Sequence, residues 1–120
     1  MIGLIAGIIG IVALGCLVTH VIMLTFRWLA NKIREKFAKK ETQKVAVADL
    51  HEMIESCDNT MTIDQLEKLE DEGYTHLVAT VDDNGKVSDV EAIKDKNDTI
   101  DEEVDRFINR TGDGMVVITR

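Results

Sequence analysis

Residues 2 to 26, IGLIAGIIGIVALGCLVTHVIMLTF, hold no Asp, Glu, Lys, Arg or Pro, and no other feature constrains the chain as much. As a helix rising ~1.5 Å per residue this run would span ~37 Å, against a bilayer hydrocarbon core of about 30 Å. Fourteen of its twenty-five residues are Ile, Leu, Val or Phe. Each contributes roughly −0.3 to −0.6 kcal/mol near the bilayer centre, enough to outweigh one neutral His20 and four glycines. The run predicts a transmembrane helix over residues 1 to 26. A cleaved signal peptide would need a basic start, a shorter apolar core and a small-residue cleavage site, whereas this run ends in Phe26-Arg27-Trp28.

The flanks predict an orientation. Arg27, Lys32, Arg34, Lys36, Lys39 and Lys40 follow the run, opposed only by Glu35. By the positive-inside rule the N-terminus lies outside and the C-terminal domain is cytoplasmic, with the lipid bilayer as partner and Trp28 as an interfacial anchor among these cations. Within the helix, Gly3, Gly7, Gly10, Leu14, Leu17, Val21 and Leu24 repeat at heptad spacing, and Gly3-x-x-x-Gly7 allows close backbone approach. That seam predicts a homo-oligomer. His20 flanks it as an intramembrane polar group, either bonded to a neighbouring helix or to Thr19, or lining a wet pathway.

Charge divides along the chain. Residues 1 to 40 carry six Lys/Arg against one acid, and residues 41 to 120 carry eight against twenty-one, so that the whole stands at −8. So acidic a domain cannot bind nucleic acid by neutralising phosphates. Its partners are expected to be proteins with basic faces, or its own basic collar. Two cysteines give no disulfide framework.

From Cys16 to Glu72 there is neither Gly nor Pro, so nothing obliges the helix to stop at residue 26. Residues 27 to 57 read as a basic juxtamembrane connector. Leu29, Ile33 and Phe37 form its first apolar stripe, and Val47, Leu50, Ile54 and Cys57 form a second over residues 44 to 57. Residues 58 to 120 read as an acidic α+β domain. Thr62-Ile-Asp-Gln65 is a capping-box pattern opening a helix over 63 to 72, closed by Gly73. Strands at 75 to 81 and 86 to 93 flank Asn84-Gly85, which predicts a two-residue hairpin pairing Leu77 with Ala92 and Ala79 with Val90. Thr99-Ile-Asp-Glu102 repeats the capping box ahead of a stripe of Ile100, Val104, Phe107 and Ile108, and Gly112 ends that helix. Residues 115 to 119 make a last strand, central or well covered. The fold expected is a transmembrane helix, an amphipathic extension and a small domain of helix, hairpin, helix and strand, with a three-stranded mixed sheet and helices on one face.

Chemical motifs are absent in the patterns that carry them. His51-Glu52-Met53-Ile54-Glu55 has Glu where the second zinc ligand of H-E-x-x-H belongs. Residues 95 to 106 lack the turn glycine and the closing Glu of a calcium loop. Gly112-Asp113-Gly114 is too short to cradle phosphate. The reading is non-enzymatic, with no cofactor, metal or catalytic residue. In layout, an apolar N-terminal helix running into an amphipathic one and then a small head resembles a type IV pilin, although Ile5 stands where pilins carry a glutamate and no residue role carries over. Three functions follow: a self-associating single-pass scaffold or adaptor presenting an acidic domain, an oligomeric pore or membrane-perturbing effector, or a filament subunit. A basic protein partner is expected to dock on Asp98, Asp101, Glu102 and Glu103 at the start of the last helix.

Overall fold

Val18, Thr19, Val21 and Ile22 are β-branched, which favours the pleated strand, and in the computed structural model they lie in strand β1 (Val18–Ile22). The structure describes residues 18–56, 60–84, 86–97, 101–110, 112 and 114–120, with side chains in the third helix from residue 63 onward. After β1 come α1 (Phe26–Phe37), β2 (Thr42–Asp49), α2 (Leu50–Ser56), α3 (Thr60–Asp71), β3 (His76–Asp82), β4 (Val87–Asp95), α4 (Glu102–Ile108) and β5 (Met115–Thr119). The strands form one mixed sheet in the order β1-β4-β3-β2-β5. Only β1 and β4 run parallel.

This corrects the expected fold. Residues 18 to 22 are not the inner end of a transmembrane helix, and no helix among the described residues is long and apolar enough to cross a membrane. The single-pass membrane reading therefore loses its basis, and with it the argument for orientation. The physical reason is that an uncharged run rich in β-branched residues is also what a sheet strand looks like. Leu24, just past β1, is 1% exposed in the core. Thr25 then adopts an extended conformation and accepts a hydrogen bond from the Trp28 backbone N–H at 3.1 Å, so α1 starts afresh at Phe26. Of the expected seam, Val21 lies in a strand and Leu24 in a link, while Gly3, Gly7, Gly10, Leu14 and Leu17 lie outside the described residues.

A second correction concerns residues 44 to 57. Val45-Ala46-Val47-Ala48 belongs to β2, hydrogen-bonded to β3 on one side and β5 on the other. With both faces covered, every residue of such a strand is apolar and the period of two is hidden. The sheet thus has five strands, not three, and helices on both faces. Leu29 of α1 with Val104 and Ile108 of α4 cover Val45, Val47, Val78, Ile93 and Val116. Met53 of α2 with Leu66 and Leu69 of α3 cover Ala46, Ala48, Leu77, Ala79, Val90, Ala92 and Met115. β5 is an edge strand, and its buried start is split between the two layers.

The β3–β4 hairpin is formed, and Leu77 faces Ala92 as its pattern requires. Nearer the turn the register slips. Thr80 pairs with Ser88 and the Asp82 N–H reaches the Lys86 carbonyl at 3.0 Å, which leaves three residues in the loop instead of two. The difference is absorbed on β4 by a bulge, where Asp89 and Val90 together face Ala79 and Asp89 takes φ 48°.

Two glycines fix the ends of elements. Gly73 (φ 100°) closes α3 in a Schellman arrangement, its N–H on Glu70 O at 2.9 Å and the Tyr74 N–H on Leu69 O at 3.2 Å. Gly114 (φ 77°) lies where β5 begins, and a Cβ there would stand 2.5 Å from the Met53 backbone N. Gly114→Ala should therefore cost about 3 kcal/mol and lower Tm by more than about 10 °C, because α2 must move away from the sheet. Gly73→Ala, with only Lys94 Cδ at 3.8 Å, should cost about 1 kcal/mol. Equal losses in thermal melts of the two variants would contradict the close approach at Gly114.

Candidate functional site

Glu91 is the one acid on β4 set between two buried residues, Val90 and Ala92, on the face that α1 covers. Its side chain is 13% exposed and collects three partners. Lys36 Nζ approaches Oε2 at 2.6 Å, Lys32 Nζ approaches Oε1 at 3.2 Å, and His20 Nε2 donates to Oε1 at 2.6 Å. Burial pushes the Glu91 carboxyl up, but the bonds from Lys36, His20 and Lys32 outweigh it and hold the group at about 2. Lys36, almost fully buried, also donates to the Asp89 carbonyl at 3.0 Å, which the bulge presents, and Lys39 pairs with the Asp89 carboxylate at 2.8 Å. Lys32 is held above its ordinary value: its burial opposes the charge, yet the bonds to Glu35 and Glu91 prevail.

The expected basic collar is thus divided. Lys32, Lys36 and Lys39 meet the acidic part of the same chain, with Trp28 edge-on to His20 at 5.3 Å and beneath Lys32. Arg27, Arg34 and Lys40 remain exposed. The constellation is a clamp joining β1, β4 and α1.

A cleft of about 490 Å³ opens at the opposite end of β4, where β2 and β4 end and β3 begins. Asp49, Glu52, Glu70, Asp95, Asp101 and Asp105 line it together with His51, His76, Tyr74 and Thr75; among the described residues no Lys or Arg does. Each aspartate has a structural bond through Oδ1. Asp49 caps α2 by accepting the Glu52 N–H at 3.4 Å. Asp95 accepts the Leu24 N–H at 2.9 Å and the Asn97 N–H at 3.0 Å. Asp101 caps α4 through Glu103 and Val104, and Asp105 accepts from Asn109 Nδ2 at 2.8 Å. The four Oδ2 atoms make no hydrogen bond among the described residues, so the anchored carboxylates keep acceptor capacity.

His76 sits among them. The Thr75 hydroxyl donates to Ile93 O at 3.2 Å and receives the Asp95 N–H at 3.3 Å, so its open lone pair accepts from His76 Nδ1 at 2.8 Å. The ring proton therefore sits on Nδ1 and leaves Nε2 an acceptor. Burial holds the imidazole below its ordinary value, against the pull of Asp49, Asp95 and Asp105. At the rim His51 bridges Glu70 at 3.3 Å and Glu55 at 3.2 Å, and these carboxylates raise its basicity, Glu70 most. Chemically the cleft is an acceptor-rich bay for a cation. Among the described residues no group of three or more His, Cys, Asp or Glu is placed to hold a metal ion.

The expected docking face is split by this geometry. Asp101 enters the cleft as a helix cap, which replaces the capping role expected of Thr99. Glu102 and Glu103 are exposed outside the cleft, and Asp98 lies outside the described residues. Asp49, His76, Asp95 and Asp105 escape a reading by motif because they converge from separate elements. The available signal was a polar residue ending each apolar strand, Asp49 after Val45-Ala46-Val47-Ala48 and Asp95 after Ala92-Ile93-Lys94. The chain matches no protein-family model, no curated protein and no solved structure.

The Glu91 clamp has a pH signature. Its folded value near 2 lies below the ordinary 4.5, so its contribution is complete above about pH 4.5 and is lost as pH falls toward 2. Glu91→Gln should cost about 3 kcal/mol at pH 7, because Lys36 is left buried without its counter-charge. In denaturant titrations the gap between wild type and variant should narrow below pH 4.5. A gap that stayed constant down to pH 2 would show that the charge of Glu91 is not what the clamp uses.

Proposed function

We propose that this chain is a non-enzymatic interaction domain that receives a cationic segment of another protein in its acidic cleft, acting as an adaptor or as a subunit of a larger assembly. The observation that carries this reading is the cleft lining itself: six carboxylates and no Lys or Arg among the described residues, with four aspartates held rigid through one oxygen each. Rigid acceptors spare a ligand the cost of ordering them. A lysine ammonium suits the bay, since its three donors can meet carboxylates that converge from different directions. The Tyr74 ring is already covered by the chain's own Lys94 at 4.8 Å, so the carboxylates are what the bay offers a cation. A neutral His76 contributes an acceptor without adding a repelling charge.

Asn substitution isolates charge from structure here, because Asn keeps the Oδ1 acceptor that the caps and links require. A fluorescein-labelled peptide alternating Lys and Gly should bind the full chain saturably at low salt and weaken steeply as salt is added. Asp95→Asn and Asp105→Asn should each weaken it about fivefold, the loss of roughly 1 kcal/mol of ion pairing, with unchanged thermal melts. Glu67→Gln, on the exposed side of α3, should leave binding as it was. Wild-type affinity in both aspartate variants would rule out the cleft as the docking site.

A further inference from the structure

On the other side of α4 the surface changes character. Phe26, Phe107, Arg106, Arg110 and Glu103 line an open groove of about 620 Å³. The two rings meet edge to face, 5.6 Å between centroids at 77°, and Phe26 keeps 37% of its surface exposed. Three residues before it, Met23 is 61% exposed. Arg106 lies in the last turn of α4 and Arg110 just past its C-cap Asn109. Arg110 stacks on Phe107 at 5.4 Å, and among the described residues neither arginine forms an ion pair.

We propose that this groove docks a short acidic segment of a partner protein that also bears an apolar side chain. In a chain of net charge −8, two guanidiniums facing one carboxylate make a local positive island. Guanidinium forks match carboxylates two bonds at a time, and the Phe107 ring, 5.4 Å from the Arg110 guanidinium, restrains that side chain before the partner arrives. The Phe26–Phe107 pair beside them offers apolar area that a purely ionic partner would leave wet. Charge also selects the length of the occupant. A long polyanion such as a nucleic acid would meet the repulsion of the whole acidic surface, including the cleft on the opposite side of α4, whereas a short segment senses the island alone. The site is separate from the acidic cleft and does not depend on what that cleft binds.

The probe is a fluorescein-labelled synthetic peptide, Glu-Glu-Leu-Glu-Glu-Phe, titrated with the full chain at low salt. Saturable binding is expected, weakened at least about tenfold in the double variant Arg106→Gln/Arg110→Gln, whose exposed side chains can change without unfolding the domain. Arg34→Gln, an exposed cation on α1, should have no effect. The same peptide with Leu and Phe replaced by Ser should bind about tenfold more weakly. The proposal is overturned by absent binding, by an equal loss in Arg34→Gln, by full affinity of the serine peptide, or by single-stranded DNA competing as well as the peptide does. Thermal melts of each variant identify any loss that comes from unfolding.

Discussion

One half-buried carboxylate fastens the first strand and the first helix to the rest of the sheet. Glu91 stands on β4 where an apolar side chain would fill the layer beneath α1, and an ion in that position is tolerable only with its counter-charges in place. Those come from α1 through Lys32 and Lys36, and β1 adds a hydrogen bond from His20. The apolar stripe of α1 drives the helix onto the sheet, but a stripe permits some rotation about the helix axis. Lys36 does not, since turning it away would strand a cation in the core. The clamp therefore adds directional information to a contact whose energy is mainly hydrophobic.

The same clamp explains a charge pattern that reads differently along the sequence. Six cations in residues 27 to 40 have the look of a membrane collar. In the fold three of them face acids on β4, while Arg120 reaches the carbonyls of Phe37 and Lys39 at the end of α1 and stacks on Phe37. The chain's basic segment and acidic segment are thus partly each other's partner. Beyond the clamp, Arg27, Arg34 and Lys40 stay exposed, and charge of opposite sign gathers on the two sides of α4, acidic in the cleft and basic in the groove.

Legibility in the sequence followed how local each determinant was. The stripe of Leu29, Ile33 and Phe37 and the end of α3 at Gly73 depend on neighbours a few residues away, the pairing of Leu77 with Ala92 on the turn between two adjacent strands, and all could be read. β1 and β2 could not. An uncharged strand looks like a membrane helix until its parallel partner Glu91–Asp95 is known, and β2 is apolar on both faces because helices cover both. The cleft was hidden for a related reason. Asp49, His76, Asp95 and Asp105 are 27, 19 and 10 residues apart in sequence and meet only because sheet register brings three strand ends and a helix together.

The bulge on β4 carries a last implication. Asp89 is one residue more than the ladder uses, since Val81 with Val87 and Val78 with Glu91 would keep their partners without it. What it supplies is a carbonyl for Lys36 and a carboxylate for Lys39. A chain one residue shorter at this point could retain the same sheet and the same two apolar layers. Length variation there would be silent in the fold and visible only in how firmly the first helix is held.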